Sequence, residues 1–329
     1  MSKKQHGFLW ITDPWDTLDH ARDTSLRLAQ EALSFGIENH WCDVRSIRWE
    51  NGQVLLDAFS IDYMGEDRAE ESIQLGDKKT FSPLDFQSLQ YRTDPPVDLA
   101  YQHPLQLLHL AVQAETRAAR RPEIVNPVSA LMLANEKLEA GLLKGLLPPT
   151  VVSSQWEPLE RFGKAEKKTV LKPLHLAQSK GVELLDWTSS DGIARARKII
   201  EDATGNFERP VLLQRYLPGI SKGETRLWLL DGKLLACARK LPLKNDFRVN
   251  IDQGSRLAPH TIGTYEKKAA ALIGKRLRAL GVRLAAVDLI EGYATDFNVT
   301  SPGLITQMEQ VLGKNLARPI IHALAKRFK

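Results

Sequence analysis

The order of apolar and polar positions over the first fifty residues predicts a strand, a helix and a second strand. Phe8 to Ile11 is an unbroken apolar run of strand length. Asp19 to Gly36 carries Leu26, Ala29, Ala32 and Leu33 at helical spacing and stops on a glycine. Glu38 to Val44 returns as a strand. A β-α-β opening predicts a doubly wound α/β unit with right-handed crossovers. After it, Phe59 to Ser82 is polar and predicts an irregular excursion. Ser88 to Arg92 predicts a strand ended by Asp94-Pro-Pro96. Leu105 to Arg117 predicts an amphipathic helix, and Glu123 to Asn126 a short strand stopped by Pro127.

The pattern then changes character. Ser129 to Leu146 predicts a helical stretch, and Pro148-Pro149 a boundary. Thr169 to Lys172 predicts a strand, with Val182 to Leu185 expected to pair with it. Asp191 to Ala203 predicts a helix, and Val211 to Arg215 a strand leading into Tyr216-Leu-Pro218. Thr225 to Leu230 and Lys233 to Arg239 flank Asp231-Gly232, a strong hairpin signal. Lys240 to His260 is polar and predicts a mobile loop. Thr264 to Leu280 predicts a helix capped by Gly281, and Asn315 to Phe328 a closing helix. Hairpin-rich units thus follow an α/β unit.

Ala286 to Pro302 is the stretch with the most chemistry. It reads as a strand, a Gly292 turn and a second strand. Asp288 lies on the first arm. Asp296 and Asn298, two apart on the second, share a face. Three hard oxygen donors across a hairpin suit Mg²⁺, which takes a few carboxylates plus substrate phosphates.

Composition narrows the classes. The chain has 329 residues, enough for two or three units, and a net charge of +5. Its basic runs, Arg120-Arg121 and Lys164 to Lys168, are short and broken, which argues against nucleic acid as a partner. Cys42 and Cys237 each sit in an apolar run, so buried, inert thiols in a reducing compartment are expected. No apolar run reaches membrane-spanning length, and Asp13 follows the first one too soon for a secretion signal. A cytoplasmic protein is the expectation.

Other candidates for chemistry are dispersed. Lys172 closes an apolar strand, where a buried ammonium needs a counter-charge such as phosphate. Lys137, taken alone, reads as a solvated helix lysine. Gln214 to Leu217 follows a strand and offers main-chain groups with an apolar wall at Leu217. Arg226 and Arg239 lie on the two arms of the Asp-Gly hairpin, with Arg248 and Asn250 in the polar loop after it. Arginines suit phosphate or carboxylate. The eight histidines show no metal spacing, and no G-x-G-x-x-G, P-loop, H-E-x-x-H or nucleophile elbow is present.

In order along the chain, these segments resemble bacterial glutathione synthetase, an ATP-grasp ligase. The resemblance runs through Thr12-Asp-Pro14, Asp23-Thr-Ser25, Tyr91-Arg-Thr-Asp94-Pro-Pro96, Ile124-Val-Asn126-Pro and Asn135-Glu-Lys137-Leu. It continues through Leu171-Lys-Pro173-Leu, Gln214-Arg-Tyr-Leu-Pro218 and Asp231-Gly232 to Asp296-Phe-Asn298-Val-Thr-Ser-Pro302. It implies an ATP-grasp fold of mixed α/β lobes behind an N-terminal doubly wound α/β domain. The implied divisions are 1–127, a central lobe over 128–213 and a C-terminal lobe over 214–329. It implies that Lys137 and Lys172 hold nucleotide, that Gln214, Tyr216 and Leu217 form its adenine hinge, and that Asp288, Asp296 and Asn298 ligate Mg²⁺ or Mn²⁺. Arg226, Arg239 and Arg248 correspond to catalytic positions, and Arg92, Asn250 and Ser301 to substrate contacts. The segment from Lys240 to Arg256 corresponds to a lid.

The implied reaction is ATP-dependent joining of a carboxylate, γ-glutamylcysteine, to an amine, glycine, through an acyl phosphate. The implied partners are small molecules, in a homo-oligomer. Three departures stand out. The phosphate loop, His175 to Gly181, keeps one glycine, with Ser179, Lys180 and Gly181 as its candidate contacts. Asp296 replaces a glutamate, and the lid carries Phe247, Val249 and Asp252. They leave open a related ligase with another acceptor, or a nucleotide-binding protein impaired in turnover.

Overall fold

The structure, a computed structural model, describes residues 5–244, 246–251 and 254–326. β1 (His6–Thr12), α1 (Thr24–Ser34) and β2 (Asn39–Asp43) form the opening unit. β1 is buried along its whole apolar run because it is a central strand covered on both faces. Asp23 caps α1, its carboxylate accepting from Leu26 N at 2.8 Å. β3 (Arg48–Glu50), β4 (Gln53–Met64), β5 (Ile73–Phe81), β6 (Phe86–Tyr91), α2 (Leu99–Ala114) and β7 (Glu123–Val125) complete this region. The sheet runs β3-β4-β2-β1-β6-β7, with β5 on β4. β2, β1, β6 and β7 pair in parallel.

The expected irregular excursion over 59–82 is instead the antiparallel arm of β4 and β5. Only β4 presents a buried face, at Val54, Leu56, Ala58, Ile61 and Met64. β5 is polar and open to solvent, and its ladder to β4 rather than a core face makes it a strand.

α3 (Val128–Leu133) is short, where a helix to Leu146 was expected. Asn135 ends it: its Oδ1 accepts from Lys137 N at 3.0 Å. The Glu136 carbonyl then accepts from Phe297 N at 2.7 Å, so it serves another strand rather than a further helical turn. β8 (Thr150–Ser153), α4 (Trp156–Glu166), β9 (Lys168–Pro173), β10 (Glu183–Asp186), α5 (Ser190–Thr204) and β11 (Val211–Arg215) follow. Their antiparallel sheet has the order β10-β9-β11-β8. Trp187, Leu159, Leu171 and Ile200 fill the layer between it and its helices.

The third sheet contains β12 (Glu224–Leu230), β13 (Lys233–Leu241), β14 (Arg256–Pro259), β15 (Leu284–Ile290) and β16 (Tyr293–Asn298), in the order β14-β13-β12-β15-β16. α6 (Thr264–Ala279) precedes β15. β14 is a correction to the expected loop over 240–260. Cys42 is buried, as expected, and burial pushes its thiol up to about 12; Cys237 is only half-buried. α7 (Ile305–Leu312) was not anticipated, and the closing helix is the shorter α8 (Ala317–Ala325). Phe328, where that helix was expected to end, lies outside the described residues. Met308, Ile320 and Ile321 pack in one cluster with Leu26 and Ala29 of α1, so the chain's last helices return to the first unit.

Two β-bulges decide which side chains share a face. Pairing of β12 with β13 slips between Trp228 and Leu229, so that Leu229 faces Leu234 but Trp228 faces Ala236. Pairing of β15 with β16 slips beyond Asp288, so that Leu289 faces Ala294 but Asp288 faces Asp296. One extra residue moves every later side chain to the other face of the sheet.

Candidate active site

Strand order reverses about β1, and ligands in open α/β sheets bind beyond the strand carboxyl ends at such a point. Asp13, Arg92 and Asp94 follow the ends of β1 and β6. They line a cleft of about 750 Å³ whose other walls come from the second and third sheets.

Arg92, Lys137, Lys172, Ser179, Lys180, Gln214, Tyr216, Leu217, Arg226, Arg248, Asn250, Asp288, Asp296, Asn298 and Ser301 all line this cleft. Arg239 and Gly181 do not. Counted straight from the Asp231-Gly232 turn, Arg239 would fall opposite Glu224. The bulge puts it opposite Thr225 instead, and Lys240 takes the place opposite Glu224. Arg239 points to the far side, its Nη2 3.7 Å from Glu266 Oε1. Gly181 has φ +67°, and a Cβ there would meet Pro173 Cγ at 2.9 Å, so this glycine serves close packing of the loop on β9.

Asp288 and Asp296 meet because of the second bulge. Without it Asp288 would face Thr295, and Asp296 would sit on the other side. The extra residue is Thr295, whose carbonyl instead accepts from Lys172 Nζ at 3.0 Å. Lys172 also donates to Gln214 Oε1 at 3.2 Å. Burial pushes the Lys172 ammonium below its usual range.

Arg226 lies opposite Asp288 on neighbouring strands and holds it in a fork, with Nε to Oδ1 at 2.8 Å and Nη2 to Oδ2 at 2.6 Å. Lys240 Nζ donates to Glu224 and lies 3.4 Å from Asp288 Oδ2. Burial opposes ionisation of Asp288, but Arg226 and Lys240 outweigh it and hold this carboxyl far below the usual range. Burial pushes Glu224 up against the pull of Lys240.

Glu136 adds another carboxylate. Its Oε1 accepts from Val299 N, Thr300 N and Thr300 Oγ1 at 2.7, 2.9 and 2.9 Å. Burial, and then the neighbouring Asp296, push it up. Sequence reasoning singled out neither Glu136 nor Glu224 and Lys240. Glu224 had a signal, since it stands two residues before Arg226 on an apolar strand and so shares its face. Lys240 had none without the bulge.

The donor set fits a hard divalent cation. Asp296 Oδ1 is buried with no hydrogen-bond partner among the described residues. Asn298 Nδ2 donates to the Ala286 carbonyl at 3.0 Å, which leaves its Oδ1 for a ligand. Asp288 Oδ1 keeps a second lone pair beyond the Arg226 fork, whereas Oδ2 also accepts from Lys240 at 3.4 Å. Apolar Val170, Leu217, Ile220 and Ile290 line the same cleft and could cover a flat ring.

The loop over 175–181 is pinned from several sides. Val97 N donates to the His175 carbonyl at 3.0 Å, and Lys137 Nζ to that of Leu176. Gln178 Nε2 donates to Asp94 Oδ2, and Asn250 Nδ2 to the Gln178 carbonyl, both at 3.0 Å. Gln178 and Ser179 adopt left-handed φ of 56° and 60°, bending the loop without glycine. Of the bulky lid residues, Phe247 and Val249 line the cleft; Asp252 lies outside the described residues.

Arg92 is buried, donating to Ser25 Oγ at 3.2 Å and the Pro302 carbonyl at 2.8 Å, and Ser301 Oγ donates to the Arg92 carbonyl at 3.1 Å. Burial, and then Asp13 and Asp23, push the adjacent Asp94 up to about 6. A carboxyl raised on folding holds its proton more tightly in the native chain, so native stability falls as pH rises through that value. Asp94→Asn should therefore raise the Tm at pH 8, with the gain vanishing near pH 4, as thermal melts across this range will show. Asp94 opens onto cleft water, which screens the effect.

Family models match nearly the whole chain: a prokaryotic glutathione synthetase N-terminal domain over residues 7–126 and the ATP-grasp domain of the same family over 136–313. The glutathione synthetase of Prochlorococcus marinus (strain MIT 9313) is 31% identical, over 96% of this chain and 97% of the relative. That of Nostoc sp. (strain PCC 7120 / SAG 25.82 / UTEX 2576) is 30% identical, over 97% and 98%. Among solved structures, D-cycloserine synthetase DcsG aligns with a TM-score of 0.68 at 17% identity, over 98% of this chain and 100% of that one. The ATP-grasp ligase PsnB, complexed with a phosphomimetic variant of its minimal precursor, Mg and ADP, aligns at 0.63 and 16%, over 98% of each chain.

Proposed function

The chain belongs to the prokaryotic glutathione synthetase family of ATP-dependent ligases, and from that premise we propose that it joins γ-glutamylcysteine to glycine through an acyl phosphate. The observation that carries this reading is the meeting of Asp288, Asp296 and Asn298 with Lys172, Arg226 and Lys240 in one cleft.

In this reading Lys137 and Lys172 hold the nucleotide phosphates, with Ser179 and Lys180 beside them. Gln214, Tyr216 and Leu217 seat the adenine. Asp288, Asp296 and Asn298 hold the divalent ion, Mg²⁺ or Mn²⁺. That ion supplies charge neutralisation on the transferring phosphoryl group. Arg226 and Lys240 orient Asp288, while Arg248 and Asn250 face the transferred phosphoryl and the acyl substrate. Arg92 and Ser301 hold the shape of the substrate wall. The γ-phosphoryl group passes from ATP to the substrate carboxylate and ADP departs. The glycine amine then attacks the acyl carbon, phosphate leaves, and the ammonium proton is lost. The three divisions at 127 and 213 and a homo-oligomeric form belong to the same proposal and rest on the family; a cytoplasmic location belongs to it too and rests on the sequence. No helix among the described residues is long and apolar enough to cross a membrane.

The test is phosphate release from ATP with Mg²⁺ and γ-glutamylcysteine, with and without glycine. Glycine-dependent release is expected. Release only with another amine would replace glycine as acceptor, and nucleotide binding without release under any acceptor would overturn the reading. Lys172→Met should raise KM for ATP about ten- to hundredfold, the loss of one charge-assisted contact. Initial rates over an ATP series will show it.

A further inference from the structure

His6, Glu38 and His40 gather at the amino ends of β1 and β2, the opposite edge of the sheet from the cleft. We propose that they form a second metal site, for a borderline divalent transition ion such as Zn²⁺.

Two imidazoles and one carboxylate are the donor set that suits this class, whereas Mg²⁺ prefers oxygen alone. Their donor atoms all lie within 4.8 Å of one another. His6 Nδ1 stands 2.7 Å from Glu38 Oε1, and His40 Nε2 stands 3.9 Å from the same oxygen. Four-coordinate zinc with bonds of about 2.0–2.1 Å sets its ligand atoms about 3.3 Å apart. One separation must open and the other close by about 0.6 Å from that value, within the reach of side-chain torsions.

The backbone holds the three together. Phe8 N donates to the Glu38 carbonyl at 2.9 Å. Gly7 makes that approach feasible, because a Cβ there would stand 2.3 Å from Glu38 O. His40 is buried, yet its Nδ1 has no hydrogen-bond partner among the described residues, and its Nε2 stops short of Glu38. An ion would be held through Nε2, the nitrogen that faces Glu38, with the proton kept on Nδ1. Phe81 and Phe86 wall the pair, their ring centroids 5.2–5.5 Å from the two imidazoles, and lower the local dielectric. The Glu38 side chain is 56% exposed, so an ion can enter and keep water as its fourth ligand.

The experiment uses the untagged full chain, stripped of metal, with excess Mg²⁺ and ADP to fill the cleft. Zn²⁺ is titrated against a chromophoric chelator, and Co²⁺ is followed by its visible absorption. The expected result is a single equivalent bound by the parent chain and at least tenfold weaker binding by His6→Ala and Glu38→Gln. Both variants should retain parental ligase turnover, since neither residue lines the cleft. Equal Zn²⁺ affinity in all three proteins, or no uptake against the chelator, would overturn the proposal. His40 is left unchanged because its substitution would open a hole in the core.

Discussion

Asp296→Ala should lower kcat by about a thousandfold or more and remove the Mg²⁺ dependence of nucleotide binding. A metal ligand of this kind contributes several kcal/mol to stabilising a transferring phosphoryl group, and each 1.4 kcal/mol is about tenfold in rate. Asp296 carries a buried oxygen with no partner among the described residues, which leaves it free to ligate the ion. Loss of activity must be separated from loss of fold, and the site itself provides the means. Asp296 is the neighbour that, after burial, pushes Glu136 up. Removing it relieves that repulsion, so the variant should melt at the parental temperature or above. A melt well below the parent would mean that Asp296 holds the hairpin together instead. Calorimetric titration of ADP with and without Mg²⁺, beside steady-state rates, checks the prediction; unchanged Mg²⁺ dependence would remove Asp296 from the metal site.

The sequence carried much of the fold because the apolar runs of β1, β9, β11 and β15 are strand-long and bounded by turn residues. The Asp231-Gly232 and Glu291-Gly292 hairpins were legible for a chemical reason. Both residues of each turn take positive φ, which glycine accepts without strain in both turns and aspartate tolerates in the first. The bulges were not legible. No residue type announces them, and each reverses the facing of everything beyond it. Strict alternation would therefore have placed Asp288 and Asp296 on opposite faces and Arg239 in the cleft. The reading of Ala286 to Pro302 as a hairpin brought the three oxygen donors together without knowledge of the register, and the resemblance matched the same residues. At the second hairpin adjacent Arg239 and Lys240 are both cations, and only register tells them apart. β5 was missed because a strand stabilised by its ladder, with little buried face, has no apolar signature.

Lys240→Met should cost about 3–5 kcal/mol of stability at neutral pH, the usual penalty for leaving a buried carboxylate without its partner. Lys240 is the counter-charge of Glu224, and both are buried. Burial already pushes the Glu224 carboxyl up, and Lys240 is the main influence opposing it. Without the ammonium, Glu224 must take up a proton to stay inside. Its folded pKa then rises further above the unfolded value, so the variant should lose stability as pH rises from 5 to 8. Urea midpoints across that range will show whether the gap from the parent widens as predicted. Glu224→Gln in the same chain should close most of the gap, because the uncompensated charge is gone, yet turnover should remain low. Lys240 also reaches Asp288 Oδ2, the oxygen that Arg226 Nη2 holds, and only a cation restores that contact. Lys240→Arg keeps the charge and should retain both stability and most activity. Were Lys240→Met as stable and as active as the parent, the bulge-set facing of β13 would have no part in the site, and Arg239 would return as the candidate.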